Sequence, residues 1–96
     1  MKTEIQIQQH HINMALDACI KLSLKRIGRV SSIRELKLMK SENYLSYKKA
    51  MEMIYEEYAS EDMINKLECA LKELGKKQEK AINQRIKQLA EQNNPQ

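Results

Sequence analysis

Strong helix breakers stand at only three places in this 96-residue chain: Gly28, Gly75 and Pro95. Valine and threonine occur once each, whereas Leu, Ile, Met, Ala, Glu, Gln and Lys are plentiful. Long unbranched side chains lose little rotamer freedom on a helix, so this composition favours helix over sheet. A chain of this length has room for one modest core. The sequence therefore predicts a single all-α domain over residues 1–96.

Two breaks divide the chain into three predicted helices, and each break contains an N-cap serine. Ser32 and Glu35 form an S-x-x-E capping box, in which each side chain satisfies a free backbone donor of the other. Ser60 is followed by two acidic residues, where the helix dipole favours negative charge. Gly28 is expected to end the first helix, and a further candidate cap at Ser41 allows a division of the second. The helices are predicted near residues 4–27, 32–59 and 61–93.

Each predicted helix has an apolar stripe at about 100° per residue, which predicts an antiparallel three-helix bundle. In the third helix, Gln78 and Arg85 interrupt the later part of the stripe. This helix is also longer than the first, at about 50 Å against about 36 Å. Either its second half projects from the bundle, or Gly75 bends it. The stripe residues are Ile5, Ile12, Ala15, Leu16, Cys19, Ile20 and Ile27 in the first helix and Met63, Ile64, Leu67, Ala70, Leu71, Leu74, Ala81, Ile82, Ile86 and Leu89 in the third.

All four tyrosines fall in one stretch, YLSYKKAMEMIYEEY, and the chain has no Phe or Trp. Helical spacing places Tyr44, Tyr47, Tyr55 and Tyr58 on one face of the second helix, together with Met51. Such a stripe is typical of a buried face, so it predicts the aromatic half of a small core or the lip of a protein-binding groove. Base stacking is the alternative, because nearby lysines supply the positive charge that it needs.

The predicted function follows from the apolar end of the third helix. A projecting helix that has an apolar side and also carries Lys80, Arg85 and Lys87 is typical of a docking helix. This pattern predicts a small adaptor, modulator or inhibitor that binds a protein partner, as a monomer or a homodimer. The alternative is that these residues complete the chain's own core. The predicted partner-binding residues are Tyr44, Tyr47, Tyr55, Tyr58, Ala81, Ile82, Ile86 and Leu89.

A basic stretch supplies a second functional hypothesis. The net charge of +4 is unevenly distributed, because residues 20–50 carry nine Lys or Arg against two acidic residues, while residues 51–75 carry two against seven. A basic helix-helix corner can bind phosphates with a strong dependence on salt. The alternative prediction is therefore a nucleic-acid-binding regulator, although a helix-turn-helix spacing is missing. The residues of this basic corner are Lys21, Lys25, Arg26, Arg29, Arg34, Lys37 and Lys40.

Residues suited to catalysis or metal binding are scarce. Adjacent side chains on a helix point about 100° apart, so His10 and His11 are poorly placed to share one metal. Cys19 and Cys69 form no metal-ligand spacing and no disulfide framework. We expect Cys19 in the core and Cys69 at the surface, both as free thiols in a reducing compartment. The sequence predicts no enzyme, no metal, no cofactor and no small-molecule substrate.

The sequence also predicts no membrane partner. Its most apolar stretch, INMALDACIKLSL, is interrupted by Asp17 and Lys21, far short of the roughly 20 apolar residues that a membrane span needs. The beginning of the chain lacks the apolar run of a secretory signal. The predicted location is cytoplasmic.

Overall fold

The computed structural model describes residues 9–57 and 60–92, which form three α-helices. The helices are α1 (Gln9–Arg29), α2 (Ile33–Glu57) and α3 (Glu61–Gln92). Both α1 and α2 pack against α3, which confirms the predicted all-α three-helix bundle. The helix ends predicted at residues 4, 59 and 93, together with Ile5 and Tyr58, lie outside the described residues.

The two serine caps are present as predicted. The backbone N–H of Glu35 donates to Ser32 Oγ at 3.3 Å, and the N–H of Leu36 donates to the Ser32 carbonyl at 3.1 Å. At the start of α3, the N–H of Met63 donates to Ser60 Oγ at 3.4 Å. The bonds to the two serine hydroxyls satisfy backbone donors that the first helical turn leaves without intrahelical partners.

Two predictions about helix ends are wrong. Gly28 is helical without a positive φ, and α1 continues to Arg29. The end of α1 is instead stabilised from α3, because Arg85 Nε donates to the Val30 carbonyl at 3.0 Å. Ser41 does not divide α2, since its hydroxyl donates to the Lys37 carbonyl one turn earlier at 3.4 Å. A serine bonded in this way is compatible with a continuous helix.

The core lies where the α1–α2 turn packs on the second half of α3. Its buried members are Ile27, Leu36, Ile82 and Leu89, with Val30, Ile33, Met39, Ala81 and Ile86 packed against them. Leu36 and Ile82 are fully buried. Complete burial of such a side chain contributes about 2 kcal/mol to folding.

The second half of α3 therefore does not project, and the prediction of an overhanging helix is wrong. The two polar residues that interrupt its stripe have partners in or just after α1. Gln78 Nε2 donates to Ser23 Oγ at 2.8 Å, and Arg85 donates to Val30 as described above. Because these hydrogen bonds satisfy Gln78 and Arg85 inside the bundle, the stripe continues without overhang.

The direction of each helix follows from contacts with α3. Residue numbers rise together in α1 and α3, as the Ser23–Gln78 and Val30–Arg85 bonds show, so these helices run parallel. Residue numbers in α2 fall as those in α3 rise. Lys40 Nζ lies 3.5 Å from Glu79, whereas the hydroxyl of Tyr55, later in α2, donates to Glu68, earlier in α3. Thus α2 is antiparallel to α3.

The bundle is open, because α1 and α2 hardly contact each other. The molecule measures 59 × 23 × 15 Å between Cα atoms. Two packed helices with axes 8–10 Å apart span only about 14 Å in width. The width of 23 Å therefore places α1 and α2 on two sides of α3, with a gap between them.

Candidate functional site: an apolar groove

A groove of about 460 Å³ opens across all three helices. We call it the apolar groove, because eleven of its thirteen lining residues are Ala, Cys, Leu, Ile or Met. His11 and Glu57 are the two exceptions. Its lining residues are His11, Ile12, Ala15, Leu16 and Cys19 of α1; Ala50, Met53, Ile54 and Glu57 of α2; and Leu67, Ala70, Leu71 and Leu74 of α3.

The groove exists because α3, which lies between α1 and α2, has a wide apolar face that these two helices cover incompletely. Leu67, Leu71 and Leu74 follow one another at helical spacing and form its floor, where they are half-buried. The facing positions on the walls include Ala15 and Ala50, whose side chains are too short to reach across the gap. The apolar surface of α3 between the two walls is thus left accessible.

Met53 is the most accessible large apolar residue of the groove, with 52% of its surface exposed. Methionine adapts its unbranched side chain to irregular partners, which suits a binding surface. Leu38, on the same helix and 59% exposed, does not line the groove and serves as a matched reference. Sequence reasoning missed Met53. The available signal was that Met53 is apolar yet lies outside the tyrosine stripe of α2.

The tyrosine stripe does not form the core. Tyr44 and Tyr55 are exposed at 62% and 50%, and Tyr47 is half-buried. The interpretation of the stripe as half of the core is therefore wrong for Tyr44 and Tyr55, because they lie on an edge of α2 that α3 does not cover. The Tyr55 hydroxyl donates to Glu68 Oε2 at 3.4 Å. Partner binding by the tyrosines remains a prediction.

A second groove, of about 700 Å³, lies between α2 and α3 and is lined in part by Tyr44 and Tyr47. Its surroundings are charged. Lys48 Nζ lies 5.7 Å from the centroid of the Tyr44 ring, within cation–π range. The hydrogen bond and negative charge of Glu68, 3.1 Å away, raise the pKa of Lys72 above its ordinary value of 10.5. This groove is therefore more polar than the apolar groove.

The predicted docking residues of the third helix belong to the chain's own core. Ile82 is 0% exposed and Leu89 is 5% exposed, while Ala81 and Ile86 pack against them. The structure thus follows the intramolecular alternative for these four residues. Ile82 and Leu89 are buried and present no docking surface, so the prediction is corrected for these two. Ala81 and Ile86 are half-buried, and partner binding by them remains a prediction.

The structure brings part of the basic corner together. Lys25, Arg26 and Arg29 surround a hollow of about 540 Å³ beside the α1–α2 turn, which Glu35 also lines. Lys40 contacts α3 instead, at 3.5 Å from Glu79 and 3.1 Å from Asn83 Oδ1. The remaining three predicted residues, Lys21, Arg34 and Lys37, are exposed but do not line the hollow.

Both cysteines are exposed. The expectation of a core position for Cys19 is wrong, because the side of α1 that carries it faces the open groove rather than α2. The expectation of an exposed Cys69 is confirmed. The rings of His10 and His11 lie 5.6 Å apart and are also exposed. Within residues 9–57 and 60–92, no group of three or more His, Cys, Asp or Glu is placed to hold a metal ion.

The fold and the groove define a class: an open, all-helical bundle with an unfilled apolar face. Comparison of the chain with protein-family models, curated proteins and solved structures finds no match. Of the helices in the described part of the chain, none is both long and apolar enough to cross a membrane.

Proposed function

We propose that this protein acts without catalysis, by binding another protein chain as a small adaptor, modulator or inhibitor. The observation that carries the proposal is the apolar groove, with half-buried leucines as its floor and Met53 exposed on its wall. Contiguous exposed apolar surface marks an interaction site in soluble proteins. Polar groups at His11 and Glu57 supply the partly polar rim that such interfaces have.

The dimensions of the groove suit a helix of the partner. The 23 Å width of the molecule places the axes of α1 and α2 up to about 18 Å apart. A further helix that lies over α3 and packs 8–10 Å from all three helices needs α1 and α2 about 13 Å apart, the diagonal of a square of four helices. The width of the molecule allows this separation, so the groove suits helix-in-groove recognition.

The test is affinity capture from the native cell with the wild-type protein, Met53→Asp and Leu38→Asp, each with and without nuclease. Met53→Asp places a charge in the groove, so we expect it to lose the stoichiometric protein partner. Leu38→Asp adds the same charge at a similarly exposed position of the same helix, so we expect it to keep that partner. Circular dichroism checks that both variants fold. Equal capture by all three proteins would contradict the proposal.

A second candidate, nucleic-acid binding, is favoured by the exposed side chains of Lys25, Arg26 and Arg29 around one hollow. Binding at this corner would depend steeply on salt. Charge reversal at Arg26, Arg29 and Arg34 is then expected to abolish salt-sensitive binding to DNA or RNA, as measured by fluorescence anisotropy. Captured partners that disappear on nuclease treatment would support this candidate against the first.

A further inference from the structure

We infer that the apolar groove binds a second copy of this chain, in antiparallel orientation, about a two-fold axis that passes over Leu71. This inference rests on the proposed function, because it names the protein chain that occupies the same groove. Three observations support it: the distribution of charge along the molecule, the position of the groove on α3, and the area of the open face.

The two ends of the molecule carry opposite charge. Residues 51–75, around the α2–α3 turn, hold seven acidic residues against two lysines. Residues 21–40, around the α1–α2 turn, hold seven Lys or Arg against Glu35. The turns lie at opposite ends, because consecutive helices run in opposite directions. An antiparallel second copy therefore sets the acidic end of each chain against the basic end of the other, whereas a parallel copy opposes like charges.

The position of the groove makes this pairing specific. Leu71, on its floor, is ten residues or about 15 Å from both Glu61 and Ala81 along α3. Arg26 and Arg29 lie level with residues 81–85, because the Ser23–Gln78 and Val30–Arg85 bonds fix the register of α1 on α3. A two-fold axis over Leu71 thus brings the start of α3 in one copy, with Glu61 and Asp62, level with Arg26 and Arg29 of the other. Such an interface is isologous.

The area of the open face also fits a dimer. The whole molecule is 23 Å wide, and the stretch of α3 between Glu61 and Ala81 is about 30 Å long. The footprint available to a second copy over this stretch is therefore at most about 700 Å², close to the roughly 800 Å² that each partner buries in a stable interface of standard size. Pairing would cover Met53 and the half-buried leucines of the floor, which one chain leaves accessible.

The first experiment measures molar mass by analytical ultracentrifugation over a range of concentrations. The 11.3 kDa wild-type chain and the Leu38→Asp variant are expected to form dimers. Met53→Asp is expected to sediment as a folded monomer, because its carboxylate would be buried without a partner in the interface. A wild-type chain that stays monomeric at every concentration overturns the inference, and so does a Met53→Asp variant that dimerises like the wild type.

A charge-swap experiment tests the antiparallel arrangement. Glu61→Lys with Asp62→Lys alone, and Arg26→Glu with Arg29→Glu alone, each bring like charges together at both ends of the dimer. We expect the dissociation constant of either variant to rise about tenfold or more. In an equal mixture every opposed pair is complementary again, so the mixed dimer is expected to regain wild-type affinity. A mixture no tighter than its components overturns the arrangement.

The inference and the proposed function fail in distinguishable ways. If the wild-type chain is monomeric while Met53→Asp still loses a cellular partner that Leu38→Asp keeps, the groove binds a different protein and only the inference is wrong. If the groove forms the dimer but all three proteins capture the same cellular partners, binding of a larger partner through the groove is wrong and the dimer remains.

Discussion

Ile82 and Met53 are both large and apolar, yet they have opposite environments. Ile82 lies in the cluster with Ile27, Leu36 and Leu89 and has no exposed surface. Met53 lies on the wall of the apolar groove with half of its surface exposed. Folding of the single chain therefore depends on Ile82, whereas Met53 is available for a contact outside the chain.

Truncation of Ile82 is expected to destabilise the fold. Ile82→Ala removes buried methyl and methylene groups and leaves a cavity, so the free energy of unfolding is expected to fall by about 3 kcal/mol. Leu38→Ala, at an exposed position, is expected to change it by no more than about 0.5 kcal/mol. Urea titration followed by far-UV circular dichroism measures both values. Similar losses for the two variants would show that Ile82 is not a core residue.

Ser32 and Ser41 bond to the backbone of α2 in different ways. Ser32 lies before the first turn, where its hydroxyl accepts the N–H of Glu35. Ser41 lies within the helix, where its hydroxyl donates to the Lys37 carbonyl, which the helix already bonds. Only the first serine satisfies a backbone donor that otherwise has no partner in the helix.

Replacement of each serine by alanine is expected to have opposite effects on stability. Ser32→Ala removes the cap and is expected to lower the free energy of unfolding by about 1 kcal/mol. Ser41→Ala is expected to leave it unchanged or to raise it by up to about 0.5 kcal/mol, because alanine is the better helix former. Thermal unfolding by circular dichroism compares the two variants. Equal destabilisation would mean that the Ser32 hydroxyl does not cap α2.

Local patterns were sufficient to predict the elements but not the site. Ser32 and Ser60 identify helix starts because capping depends on neighbouring residues alone. Leu71 and Ile82 lie on the same stripe of α3 and look alike in sequence, yet one lines the groove and the other is buried. Periodicity identifies the apolar face of a helix, whereas the angle between two neighbours around that face depends on tertiary packing. The gap between α1 and α2, and hence the groove, was therefore not predictable.

The whole molecule has its main buried cluster at one end and the apolar groove at the other, where Ile12 and Met63 are also buried. The α1–α2 turn closes over the second half of α3 and forms the core, whereas the first half of α3 carries the floor of the apolar groove. The end with the groove is acidic and the end with the main buried cluster is basic. Because the groove and the acidic charge lie at one end and the basic charge lies at the other, an antiparallel second copy is complementary in charge at both ends.

The two exposed thiols provide an internal measurement of groove occupancy. Cys19 lines the apolar groove, whereas Cys69 lies on a different side of the α1–α3 pair. Because dimer formation follows mass action, we expect Cys19 to react more slowly with iodoacetamide as protein concentration rises, while Cys69 reacts at a constant rate. Mass spectrometry of the labelled peptides gives both rates from one sample. Met53→Asp should remove the protection, and Leu38→Asp should keep it. A constant ratio of the two rates at all concentrations would show that no second copy covers the groove.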